Sequence, residues 1–142
     1  MSIKSSQELD CPQCGKQKQM LIWSTVNAID TQAAQMVKEM RLNVFQCDHC
    51  GHQAFVDVSV LYHDMENKYC IQYVSKDDMK NPAYYANTLS KNATVILDPI
   101  SQRILDNKGE TYFNRPHFVF STREMAAYIA FRVFCAAYGQ EQ

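Results

Sequence analysis

At 142 residues, 46% apolar and 11% aromatic, the chain is long enough for one domain, or for two small units folded against each other, and its composition excludes general disorder. A formal net charge of −1 excludes the basic excess by which nucleic-acid binders attract phosphate. Up to residue 75 six lysines and arginines stand against eight acids, so that part is −2 and the remainder +1. The opening MSIKSSQELD has no apolar core of the kind a secretory signal needs. The most apolar stretch, Met125 to Tyr138, is shorter than the roughly 20 residues of a bilayer span, and Arg132 interrupts it. The expectation is a cytoplasmic protein without membrane contact, whose six cysteines serve as metal ligands and buried thiols rather than as disulfides.

In chain order, residues 5–10 are polar and lead into Cys11-Pro12-Gln13-Cys14-Gly15. Gln19 to Ile29 is rich in strand formers, and Asp30 or Thr31 then caps a short helix near 31–40 with Ala33, Met36, Val37 and Met40 on one face. Leu42 to Phe45 returns to extended structure and reaches Cys47-Asp48-His49-Cys50-Gly51. From Gln53 to Leu61 the apolar residues cannot all share one face, which predicts a bulge or burial on two sides. Residues 68–74 alternate, with Tyr69, Ile71 and Tyr73 opposite Cys70, Gln72 and Val74.

The polar stretch 76–82 is the expected boundary between a region 1–75 and a region 76–142 packed on it. A short strand is predicted at Thr94 to Leu97, then a hairpin with Arg103-Ile104-Leu105 and Thr111-Tyr112-Phe113 around Asp106 to Gly109. His117 to Phe120 reads as another strand. Ser121-Thr122-Arg123-Glu124 fits a capping box and opens a helix over 122–138, with Gly139 placed to end it in the left-handed conformation. The fold class predicted is α+β: a zinc ribbon of two CxxCG knuckles with an inserted short helix, packed with a C-terminal strand hairpin and helix.

Each CxxC knuckle sets two thiolates on one tight turn, spaced for adjacent corners of a tetrahedron, and the glycine after each pair lets the backbone fold back toward the sulfurs. Cys11, Cys14, Cys47 and Cys50 therefore make a closed four-thiolate shell, which suits Zn2+ and leaves no position for water. The same tetrahedron also suits iron, as in rubredoxin. A thioredoxin-like role would need one CxxC at a helix start in a βαβ setting, which neither pair has. With four cysteines available, His49 and His52 are read as a spacer and a surface or supporting residue, and Cys70 and Cys135 as core thiols.

The chain resembles the CpXC domain family, small bacterial and archaeal proteins without an assigned activity. The resemblance rests on Cys11-Pro12-Gln13-Cys14-Gly15, Val26-Asn27-Ala28-Ile29-Asp30, Leu42-Asn43-Val44-Phe45-Gln46-Cys47 into Cys50-Gly51-His52, and Leu61-Tyr62-His63-Asp64. It covers roughly residues 8 to 75 and continues loosely to Phe118-Val119-Phe120-Ser121, after which an apolar helix stands in place of the family's acidic close. It implies a fold and a metal, but no reaction.

His63 beside Asp64, with Glu66, is the only other constellation with a chemical look, and neighbours on a strand point to opposite faces. His117 reads as a partly exposed strand residue. No phosphate loop, nucleophile elbow or HExxH is present, so nothing positive supports an enzyme. The leading expectation is a non-catalytic zinc-binding module for an unknown protein partner. The alternative is a nucleic-acid-associated ribbon that gathers Lys16, Lys18, Lys38 and Arg41 on one face. The terminal helix is apolar nearly all round, which predicts burial on more than one side and a homodimer through Phe131, Phe134 and Tyr138.

Overall fold

The computed structural model describes residues 2–92, 94–97, 99–108 and 112–139. The chain opens with a long antiparallel hairpin of β1 (Ile3–Asp10) and β2 (Gln17–Asn27), in register from Lys4 opposite Trp23 to Asp10 opposite Gln17. The polar lead-in is thus a strand. It lacks apolar alternation because it is a sheet edge with only Leu9 partly covered, so the ladder with β2 holds it and burial does not.

Asn27 ends β2, its side-chain oxygen accepting the Ile29 N–H. Asp30 then accepts the Ala33 N–H and caps α1 (Thr31–Lys38), which buries Ala33, Ala34 and Val37 and half-buries Met36, whereas Met40, expected on the same face, lies past the helix end and is exposed. The helix closes with the Arg41 N–H on the Met36 carbonyl and the Met40 N–H on that of Val37, a Schellman pattern with Met40 at φ 58 where glycine is usual.

β3 (Val44–Gln46) and β4 (Gln53–Phe55) form a separate two-stranded sheet. β5 (Val60–Asp64) and β6 (Tyr69–Tyr73) form a second antiparallel hairpin. The conflict of faces between Gln53 and Leu61 is resolved by neither a bulge nor two-sided burial. The stretch divides between the two sheets, with residues 56–59 as the link. β5 lies parallel to β2, so residues 28–59, carrying α1 and the β3–β4 hairpin, are the crossover that a parallel pair demands. β7 (His117–Val119) joins parallel to β6, giving the order β1-β2-β5-β6-β7.

Between β6 and β7 the structure departs from the sequence expectation. It holds α2 (Lys76–Met79), α3 (Pro82–Thr88), α4 (Pro99–Lys108) and a 3-10 turn at Tyr112–Asn114. The strand at Thr94 to Leu97 is reduced to one bridge, Val95 with Leu89. Arg103 to Lys108 is helical rather than half of a hairpin. Pro99 supplies the fixed φ of a first turn, and Gln102 donates to Asp106 one turn on. Gly109 and Thr111 lie outside the described residues.

On one face of the large sheet Val60, Tyr62, Tyr69, Ile71, Tyr73 and Val119 meet Ala33, Ala34 and Val37 of α1 and Met125 and Ile129 of α5 (Thr122–Tyr138). Ser121 accepts the Glu124 N–H, and the Glu124 carboxylate returns to the Phe120 N–H, one residue earlier than a standard capping box. Gly139 does end α5, but in the right-handed region (φ −65, ψ −22), so the left-handed cap is corrected. Within the chain only Met125 and Ile129 of this helix are buried. Phe131, Phe134 and Tyr138 are 58, 62 and 61% exposed. Cys135 is exposed too, which overturns its reading as a core thiol, whereas Cys70 is buried as expected. No helix among the described residues is long and apolar enough to cross a membrane.

Candidate metal centre

Both CxxCG segments are hairpin tips, and the two tips are built alike. Cys11–Lys16 joins the last pair of β1 and β2, Asp10 opposite Gln17, and Cys47–His52 joins Gln46 and Gln53 of β3 and β4. In each, the first cysteine N–H donates across the loop, Cys11 to the Lys16 carbonyl at 2.9 Å and Cys47 to that of His52 at 2.8 Å. The glycine N–H then returns to the first cysteine's carbonyl, Gly15 to Cys11 at 2.9 Å and Gly51 to Cys47 at 3.0 Å. Gly15 and Gly51 sit at φ +75 and +76 with open space where a Cβ would lie, so backbone conformation selects glycine here and crowding does not.

The tips face one another, and the four Sγ atoms of Cys11, Cys14, Cys47 and Cys50 lie within 4.8 Å of each other. The closest pairs run between tips, Cys11 to Cys50 at 3.6 Å and Cys14 to Cys47 at 3.5 Å. A tetrahedral ion with sulfur arms of about 2.3 Å needs thiolates about 3.8 Å apart, so the donor set fits a four-coordinate metal, while the sulfurs are too distant for disulfides. Cys11 and Cys47 are buried against Phe45, with Leu9, Met20 and Val56 around them, a small core separate from the main one. Cys14 and Cys50 are exposed.

Backbone amides of Cys50 and, after burial opposes them, His49 draw the Cys47 thiol down to about 6. The His52 amide pulls Cys50 the same way, but local desolvation among the clustered sulfurs and hydrogen bonds with Cys11, Cys47 and Cys14 outweigh it and push that thiol up to about 12. Four thiols this close cannot all ionise without a cation between them, and an ion of charge +2 removes that conflict. His49 and His52 lend main-chain groups to the second tip, and their imidazoles are not among the four clustered donors.

Two supports hold the β3–β4 hairpin in place. Lys18 of β2 donates to the Gln46 carbonyl at 2.7 Å and pairs with Asp48 at 3.1 Å. Asn43, buried and at φ 58, accepts the Trp23 N–H at 2.8 Å and donates to the Trp23 carbonyl at 3.0 Å, so an amide side chain stands in for a neighbouring strand. Sequence reasoning gave Asn43 no role. A polar residue between Leu42 and Val44, in an otherwise strand-forming run, was the available signal.

The other sequence candidates are not brought together. His63 approaches Tyr112 at 3.0 Å on one side of the sheet. Asp64 is buried and accepts the backbone and side-chain N–H groups of Asn67 at 2.9 Å. His117 stacks on Tyr128 at 4.0 Å between centroids. Of the cations, Arg41 pairs with Glu39, Lys16 lies with Lys18 beside the second tip, and Lys38 borders a different cleft that also holds Asp64 and Glu66.

A family model described as CpXC protein matches residues 9–136, reaching through most of α5 and well past the region where the sequence motifs are clearest. No curated protein matches the chain, and neither does any solved structure.

Proposed function

We propose that this chain, which belongs to the CpXC protein family, is a non-catalytic protein-interaction module whose zinc-ribbon-type centre holds one structural Zn2+ on Cys11, Cys14, Cys47 and Cys50. The observation that carries the proposal is the cluster of four thiols that two matched hairpin tips supply; a tetrahedral ion bound by all four would keep no corner for water or substrate. Zinc bound there contributes to folding, on the order of 10 kcal/mol in small zinc domains, by tying the β1–β2 hairpin to the crossover. The exposed Phe131, Phe134 and Tyr138 of α5 supply the contact face for a protein partner, and a homodimer through these residues is the alternative occupant. A nucleic-acid role ranks lower because Lys18 and Arg41 already have carboxylate partners.

Elemental analysis of the reduced protein tests the centre, with about one zinc per chain expected. Loss of zinc in Cys47→Ser and its retention in Cys70→Ser would support the assignment, and absence of metal or visible iron absorption would overturn it. Pull-down with wild type and Phe134→Glu tests the contact face.

A further inference from the structure

The large sheet has two open edges of unequal kind. β7 offers three residues, whereas β1 offers eight, all exposed except Leu9, with no strand beyond it among the described residues. We propose that a second copy of this chain pairs antiparallel with β1 about a two-fold axis at Ser6, joining two five-stranded sheets into one.

The sequence of β1 is self-complementary about that residue. Antiparallel pairing centred on Ser6 sets Ile3 against the partner's Leu9, Lys4 against the partner's Glu8, and Ser5 against the partner's Gln7. Lys4 and Glu8 meet each other, the two apolar residues meet each other, and Asp10 falls opposite Ser2 at the end of the segment. Centring the axis on Ser5 loses both matches, and centring it on Gln7 keeps one charge match, Lys4 with Asp10, but sets Leu9 and Glu8 against serines and Ile3 against Cys11. The two-fold makes each contact occur twice, as an isologous interface requires.

Lys4 and Glu8 lie on one face of the strand, opposite Trp23 and Gln19 of β2. The Lys4 ammonium is 4.8 Å from the Trp23 ring centroid, and strands on either side are about 4.8 Å away, so the flexible lysine reaches a glutamate on the outer side as readily as the ring on the inner. Edge lysines and bulges commonly discourage pairing. Here the register irregularity falls at the strand's end, between Ile3 and Lys4, and leaves Lys4–Asp10 regular, while the lysine meets an acid rather than its like. Cys11 lies five positions from Ser6, so the two metal centres would lie about 34 Å apart at opposite ends of the interface. The α5 faces pack on the β6–β7 side, away from the axis, so self-pairing goes beyond the partner reading and leaves that face free.

Sedimentation of the full metal-loaded chain over a concentration series tests the pairing. Wild type is expected to dimerise. Lys4→Glu and Glu8→Lys each set like charges opposite, and each should raise the dissociation midpoint about tenfold or more. Lys4→Glu/Glu8→Lys in one chain should restore it, and an equimolar mixture of the two single variants should form heterodimers. Because Lys4→Glu also removes the Trp23 contact, the exposed Glu8→Lys is the cleaner variant, with zinc content and circular dichroism confirming its fold. A wild type that remains monomeric, a dimer indifferent to both reversals, a double variant that is not restored, or a dimer broken by Phe134→Glu alone would each overturn the proposal. None of these outcomes touches the metal assignment, which Cys47→Ser tests separately.

Discussion

Replacing Asn43 isolates what holds the second hairpin tip. Its amide makes two hydrogen bonds to the Trp23 main chain, at 2.8 and 3.0 Å, from a position 2% exposed. Asn43→Gly keeps the left-handed backbone and removes both bonds. At about 1 kcal/mol net for each bond, rising where a buried group is left unpaired, the expected loss is about 2–3 kcal/mol. Asn43→Ala adds the cost of an alanine at φ 58, about 1–2 kcal/mol more. The assay is urea unfolding of the metal-loaded protein, followed by the fluorescence of Trp23, the only tryptophan, which sits at the perturbed contact. A glycine variant that loses less than about 1 kcal/mol, or an alanine variant no worse than the glycine one, would refute the account of Asn43 as a surrogate strand.

Burial raises Cys70 from 9.0 to about 12 and Tyr62 from 10.0 to about 12, and the folded state therefore favours their neutral forms. That stability is complete below pH 9 and is lost as pH rises to 12, so the melting temperature should fall from about pH 9 upward, with Cys70→Ala flattening the first part of the decline. Lys68 is exposed at φ 55, and Lys68→Gly should stabilise the protein by about 0.5–1 kcal/mol in denaturant titration. In the native metal-loaded protein a thiol reagent should modify the exposed Cys135 quickly and the buried Cys70 only after unfolding, as peptide mapping would show.

The elements written most clearly in the sequence are those fixed by local chemistry. The Ser121–Glu124 start of α5, the Asp30 cap of α1 and the two CxxCG turns each depend on residues within a few positions of one another, and the structure keeps all of them. Elements that depend on distant partners were not legible. β1 is a strand because β2 lies beside it, and no apolar periodicity marks it. Arg103-Ile104-Leu105 carries strand-like residues, but Pro99 four positions earlier starts a helix through them. Cys135 lies in an apolar run, yet α5 leaves the core after Ile129 and carries the thiol out with it. For the candidate centre, spacing alone singled out the four cysteines, while its supports, Lys18 on Gln46 and Asn43 on Trp23, join residues 20 or more positions apart.

Each hairpin tip hides its first sulfur and shows its second: Cys11 and Cys47 are buried, Cys14 and Cys50 face solvent. A metal ion held by all four would be open to a competing chelator on the side of Cys14 and Cys50 and covered on the side of Cys11 and Cys47. The lifetime of such an ion would then depend on access to Cys14 and Cys50 as well as on equilibrium strength.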